Sequence, residues 1–139
     1  MYITKMSKKH TEEAIGLLEK VVNINSGTLN IEGNKIVGKV FQAELDQLGF
    51  NTYWVTYPET VKRSGHLFAE MRGGKGKKIV LIGHLDTVFE LDDPFQKFTR
   101  KGDTAYGPGV SDMKAGDVSM IYAMKALDII GAQIGRAHV

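Results

Sequence analysis

The sequence contains no cysteine. That excludes disulfide scaffolds, thiol nucleophiles and cysteine zinc sites together, and it leaves the redox compartment open. No apolar run approaches the about 20 residues that a membrane-spanning helix needs, and residues 1–10 lack the apolar core of a secretory signal, so the cytoplasm is the default expectation. A strong excess of one charge is missing as well. Lys and Arg number 18 against 16 Asp and Glu, a net charge of +2. A nucleic-acid surface needs Lys and Arg gathered on one face. The small basic clusters at Lys8-Lys9 and residues 75–78 instead flank the starts of a helix and a strand, as solvated surface does. Neither a nucleic acid nor a membrane is expected as a partner.

What remains is ordinary for a globular domain: 139 residues, 42% hydrophobic and 24% charged, enough for one domain with a modest core. Thr11 is placed to cap a helix whose first turn carries Glu12 and Glu13, favourable at the positive end of the helix dipole. Ala14, Leu17, Leu18, Val21 and Val22 then recur at helical spacing, and residues 23–27 break the pattern. A second helix sets Val37, Val40, Phe41, Leu45 and Leu48 on one face and stops at Gly49. Residues 51–57, dense in Thr, Tyr, Trp and Val, read as a strand closed by Pro58. Residues 66–71 alternate like a half-exposed strand and run into a glycine-lysine turn at 73–77.

Residues 78–83 hold the unbroken run Ile79-Val80-Leu81-Ile82, which predicts a strand buried on both faces. A polar loop over 84–103 follows. Residues 113–130 are apolar around most of a helical circumference (Val118, Met120, Ile121, Met124, Leu127) and predict a deeply buried helix ended by Gly131. The order of elements is that of an α/β protein.

Two constellations carry candidate chemistry. His84 stands directly after the predicted buried strand, at its carboxyl end, where open α/β sheets place ligands. A metal-binding imidazole needs an acceptor on its second nitrogen, and Asp86, two residues on along an extended segment, is placed to supply one. Spacing and position alone leave two readings open: a metal ligand, or a structural histidine hydrogen-bonded at a strand end. The second constellation runs from Ala105 to Asp117, AYGPGVSDMKAGD. Glycines on either side of Pro108 exclude helix until Asp112, whose carboxylate then lies at the mouth of the last helix. Asp112 is either a helix N-cap or a functional carboxylate. A phosphate cradle using Lys114 is a third reading, but neither phosphate-loop glycine pattern is present and Asp112 would repel the anion.

Taken together, IVLIGHLDTVF (residues 79–89), PFQKF (94–98) and AYGPGVSDMKAGD (105–117) resemble the M20 family of metal-dependent peptidases and amidohydrolases, within it the glutamate carboxypeptidase type. The likeness extends to Asn25-Ser26-Gly27 after the first helix and Leu48-Gly49-Phe50 after the second. It implies a three-layer α/β/α catalytic domain, of which residues 1–133 form the N-terminal portion with an incomplete sheet. It implies that His84 is a ligand of one zinc ion, that Asp86 is the catalytic-site carboxylate orienting that imidazole, and that Asp112 bridges two zinc ions, cobalt or manganese being possible substitutes. A cis peptide between Asp112 and Met113 is part of the pattern. Ala115 stands where many relatives have glycine.

The reaction so implied is hydrolysis of an amide or peptide bond beside a free carboxylate, on a small peptide or N-acyl amino acid, in a parent enzyme that dimerises through an inserted domain. The resemblance also implies a Glu-Glu pair supplying the general base and a metal ligand, a further acidic ligand and a late histidine. No glutamate follows Asp112 in the sequence, so this chain alone is expected to be inactive. The alternative is a non-catalytic binding module with weak metal or anion affinity.

Residues 134–139, Ile-Gly-Arg-Ala-His-Val, read as one frame of a widely used short-read sequencing adapter and are kept out of fold reasoning. His138 is accordingly given no role. Amplifying the locus from source DNA is expected to show a different sequence after about residue 133; a genuine stop codon after Val139 would overturn that reading.

Overall fold

The computed structural model describes residues 2–58, 60–73 and 77–131. The expected artefactual tail at 134–139, with His138, therefore lies outside the described residues. Helix α1 (Tyr2–Val22) and helix α2 (Ile31–Gln47) are followed by an antiparallel hairpin of β1 (Asn51–Val55) and β2 (His66–Glu70). A second small hairpin, β3 (Thr99–Lys101) with β4 (Thr104–Tyr106), leads through a wide turn, Val110–Lys114, into helix α3 (Ala115–Ile129). The architecture is α/β with an incomplete sheet, with three helices and two separate two-stranded ribbons among the described residues. Among the described residues, no helix is long and apolar enough to cross a membrane.

The core lies where the helical periodicities placed it. Leu17, Leu18, Val21 and Val22 of α1, Val37 and Phe41 of α2, and Val118 and Ile121 of α3 form one buried cluster. Each such side chain removed from water contributes about 1.5–3 kcal/mol against the entropy of ordering the chain. The cluster holds the helices in the places from which the functional loops depart. The end of α2 follows the expected pattern: Gly49 is left-handed (φ +83°), its N–H donates to Asp46, and the Phe50 N–H donates back to Leu45. That pair of bonds satisfies carbonyls that the last helical turn leaves without partners. At the other end of α2, Asn30 accepts from the Gly33 N–H at 3.0 Å and acts as the cap.

Several local expectations are corrected. Helix α1 starts at Tyr2, so Thr11 lies inside the helix and does not cap it. Residues 84–103 are not wholly loop, since β3 begins within them at Thr99. Helix α3 begins at Ala115, because Asp112 (φ −137°, ψ 96°) and Met113 (φ −130°, ψ 27°) are non-helical. Nor is α3 deeply buried: Val118 and Ile121 face the core, while Leu127, Ile129 and Ile130 are exposed.

The largest correction concerns residues 78–83. They are unpaired, and Ile79, Val80, Leu81 and Ile82 are 85%, 77%, 55% and 82% exposed. A buried strand needs neighbours on both edges and layers on both faces. Among the described residues, β1 and β2 pair only with each other, and β3 and β4 likewise. The apolar run therefore has strand composition without strand partners. Unpaired edges bearing apolar side chains are templates for association. The chain is expected to self-associate, and Val80→Lys to shift it toward monomer, as read by sedimentation velocity. A monomeric wild-type chain with a sharp two-state unfolding transition would contradict this.

Candidate metal centre

The site is built from two loops that converge at the C-terminal end of α1. In the first, residues 25–28 run beside residues 85–87. Thr87 N–H donates to Ser26 O at 2.8 Å, Thr28 N–H donates to Thr87 O at 3.0 Å, and Gly27 and Thr87 form an isolated parallel bridge. The Ser26 hydroxyl, almost wholly buried, donates to Leu85 O at 2.8 Å. Buried Asn34 of α2 donates from its amide to Gly27 O at 2.8 Å, so α2 also helps set this segment. These bonds fix the backbone on both sides of Asp86 although residues 78–83 have no sheet beneath them.

The second loop is the turn Val110–Lys114. Gly109 enters it left-handed (φ +75°), a backbone that a Cβ would strain, and the Lys114 N–H returns to Gly109 O at 2.8 Å. The Lys114 side chain is fully buried, and its ammonium donates to Val21 O at 2.8 Å and Ile24 O at 3.1 Å. The phosphate-cradle reading fails on this point, because that amine is enclosed and already bonded to backbone carbonyls. The reading of Asp112 as a helix N-cap fails too: α3 is capped at Lys114, with Asp112 outside it. The Asp112–Met113 peptide is cis, as the motif resemblance implied.

Between these loops His84 meets a carboxylate on each side. Its Nδ1 lies 3.0 Å from Asp86 O and 3.2 Å from Asp86 Oδ1; its Nε2 lies 2.9 Å from Asp112 Oδ1. The three residues singled out from the sequence are thus brought together across 28 positions of chain. A neutral imidazole carries one N–H, so it satisfies only one of these acceptors, and the lone pair of the other nitrogen faces a carboxylate. A cation is required between them, either a second proton or a metal. Burial works against the charged ring, but hydrogen bonds to Asp112 and Asp86, with the charges of both, outweigh it and raise the His84 pKa above the ordinary imidazole value.

The donor chemistry fits a metal. With Nδ1–H turned to Asp86, Nε2 and the Asp112 carboxylate are the neutral-imidazole and carboxylate ligands that zinc takes. Their 2.9 Å separation is close to the about 3.3 Å spanned by two tetrahedral zinc bonds. The Asp112 side chain is 86% exposed and free to open that gap. Among the described residues, no group of three or more His, Asp or Glu is arranged to hold a metal ion.

These groups line an open cleft of about 370 Å³. Thr28, Phe89, Phe95 and Tyr106 are among its walls, the two phenylalanines packed edge to face with centroids 5.1 Å apart. The loop carrying them is pinned by Asn25, whose amide donates to Phe89 O, Glu90 O and Gln96 Oε1. Sequence reasoning assigned no role to Thr28, the aromatic pair or Asp117. An acidic residue on the core-facing side of α3, one position before Val118, was the available signal for Asp117. It is 6% exposed, its Oδ2 has no hydrogen-bond partner, and a methyl on Gly83 would overlap its carboxylate.

Comparison with known proteins supplies the class. Residues 80–135, which include His84, Asp86 and Asp112, match Peptidase family M20/M25/M40. More particularly, an alignment 129 positions long, covering 86% of the chain, is 36% identical to carboxypeptidase G2 of Pseudomonas sp. (strain RS-16). The chain spans 29% of that relative's length.

Burial raises the Asp117 pKa to about 7, partly opposed by the positive charges of His84 and Lys114. The native state then keeps a proton that the unfolded chain releases near the ordinary aspartate value of 3.8. Its stabilising contribution is complete below that value and is lost as pH rises to about 7. Asp117→Asn removes the titration. Its stability relative to wild type is expected to climb through that window by up to about 1.4 kcal/mol per pH unit. Urea unfolding of both proteins across the range measures this, and a difference independent of pH would contradict it.

Proposed function

We propose that the chain carries the His84–Asp86–Asp112 part of an M20-type zinc hydrolase centre. Its reaction is cleavage of an amide or peptide bond beside a free carboxylate, with release of a C-terminal residue such as glutamate. The observation that carries this reading is the placement of His84 Nε2 at 2.9 Å from Asp112 Oδ1 while Nδ1 faces Asp86. The match of residues 80–135 to a peptidase family and the likeness to a carboxypeptidase support the reaction class.

In this reading His84 and Asp112, the latter exposed on the cleft side, would be the residues of this chain that hold zinc. When bound, the metal pair supplies an activated water and polarises the scissile carbonyl. Asp86 accepts the Nδ1 proton of His84, which fixes the tautomer and leaves Nε2 as the ligand atom. The Phe89–Phe95 wall limits water on one side of the cleft and offers apolar surface to a small peptide or N-acyl amino acid. The general base, the remaining ligands and the dimerising domain are assigned to sequence other than this chain.

A second reading applies to the 139 residues by themselves: a weak metal-binding module without turnover. It is favoured by the convergence of only His84 and Asp112 as ligands among the described residues, fewer than the three or four protein ligands usual for zinc.

The two readings are separated by testing the chain beside the full reading frame recovered from source DNA. The full-length protein is expected to release glutamate from N-acyl-glutamate substrates, to lose activity to a chelator and to regain it with zinc. Asp86→Ala is expected to lower kcat/KM by about 10–100-fold. The 139-residue chain is expected to turn nothing over and to keep fewer than two zinc ions through dialysis. Full activity in a chelated full-length enzyme, or in its His84→Ala variant, would overturn the hydrolase reading.

A further inference from the structure

The Asp86 carboxylate has two oxygens, and only one of them faces His84. The other, Oδ2, accepts a hydrogen bond from the Thr28 hydroxyl at 2.7 Å. A chain of contacts therefore runs Thr28 Oγ1, Asp86 Oδ2, Asp86 Oδ1, His84 Nδ1, His84 Nε2, Asp112 Oδ1, with separations of 2.7, 3.2 and 2.9 Å at its three junctions, and the Asp86 backbone O is hydrogen-bonded to the same Nδ1 at 3.0 Å. The Asp86 side chain is 37% exposed, so packing alone does not hold its carboxylate plane. A donor anchored on Oδ2 does.

We propose that Thr28 is a positioning residue of this centre: its hydroxyl locks Asp86 in the orientation that fixes the His84 tautomer and aims Nε2 at the metal position. The inference rests on the reading of His84 as a ligand, but its local content, the hold on Asp86, is separately measurable.

Three observations carry it. The hydroxyl has one proton and two acceptors in reach, Asp86 Oδ2 at 2.7 Å and Thr87 O at 3.3 Å. The shorter bond goes to the charged acceptor, where a hydrogen bond is roughly twice as strong as a neutral one. Thr28 is itself held: its N–H donates to Thr87 O, and the neighbouring Gly27 O accepts from buried Asn34. Finally, Thr28 and Asp86 are 58 residues apart and meet only because residues 25–28 pair with 85–87. The position of α2, through Asn34, is thereby transmitted to the imidazole.

The test compares Thr28→Val, which keeps the branched shape and removes the hydroxyl, with Thr28→Ser, which keeps the hydroxyl. In the metal-free 139-residue chain at pH 9, ¹⁵N NMR of the His84 ring reads the tautomer, and amide spectra report whether each variant remains folded. Wild type and Thr28→Ser are expected to hold Nδ1 protonated, and folded Thr28→Val to show a mixture of tautomers. Titration with Co²⁺ is expected to show about tenfold weaker binding for Thr28→Val and near-wild-type binding for Thr28→Ser.

An unchanged tautomer in folded Thr28→Val would overturn the proposal. So would a Thr28→Ser that behaves like Thr28→Val, since the methyl group would then be what matters. If Thr28→Val does not fold, Thr28→Ser with a native tautomer and native Co²⁺ affinity supports the proposal and a disturbed one overturns it. Co²⁺ binding unaffected by His84→Ala would overturn the metal-centre reading, whereas the tautomer would still decide the hold of Thr28 on Asp86.

Discussion

The ammonium of Lys114 is fully buried and hydrogen-bonded to the carbonyls of Val21 and Ile24, at and just beyond the end of α1. Enclosing an unpaired ammonium costs several kcal/mol. Here the cost is offset by carbonyls that a helix terminus leaves without partners and by the negative end of the helix dipole. Burial lowers the Lys114 pKa to about 8, and the charge of Asp117 works against that shift. Both site-bearing loops depend on this contact. Lys114 belongs to the turn that carries Asp112, and Ile24 leads directly into residues 25–28, which hold the backbone around Asp86. A single buried cation thus joins pieces of chain about 90 residues apart.

From that junction the electrostatics of the site follow. Asp86 and Asp112 converge on one imidazole from opposite sides, and a neutral ring cannot satisfy both. The arrangement favours a cation, and the hydrogen bonds and charges of the two aspartates raise the His84 pKa despite burial. Asp117, enclosed behind Gly83, has a different environment and the opposite outcome. It lacks a hydrogen-bonding partner for Oδ2, and burial favours its neutral form. The hydrogen-bonded and the orphaned carboxylates differ in what surrounds them, and that difference assigns them different work.

The cleft and the exposed run at 79–82 are two results of how the chain is arranged. Asn25, from the segment after α1, together with Gln96 and Glu90 forms a hydrogen-bonded network that holds the loop presenting Phe89 and Phe95 to the cleft. The segment before His84 has no such local network, so its apolar residues stay in solvent. Order in the site therefore comes from side-chain hydrogen bonds to backbone, and order in the core comes from helix packing.

Much of this was legible in the amino-acid order, because some structural signals are local. Periodicity identified the core faces of α1 and α2, Gly49 marked the end of α2, strand-favouring residue types marked β1, and alternating residues marked β2. The residue types of His84, Asp86 and Asp112 in their motifs pointed to one site, since imidazole and carboxylate are the groups that such chemistry requires. Other features depend on what lies nearby in space. Composition alone cannot say whether Ile79-Val80-Leu81-Ile82 has ladder partners, and among the described residues it has none. The wide turn that moves the start of α3 to Ala115 follows from closing Lys114 onto α1, and no local propensity encodes it.

Thr28 carried no signal in the sequence, for its hydroxyl acquires meaning only when residues 25–28 are laid beside 85–87. The sequence by itself determined which groups are available and which helix faces are apolar, because those are properties of residue type and spacing. Tertiary structure alone decided which carboxylate meets which nitrogen and which cation is enclosed, because hydrogen bonding and desolvation act between residues that only folding brings together.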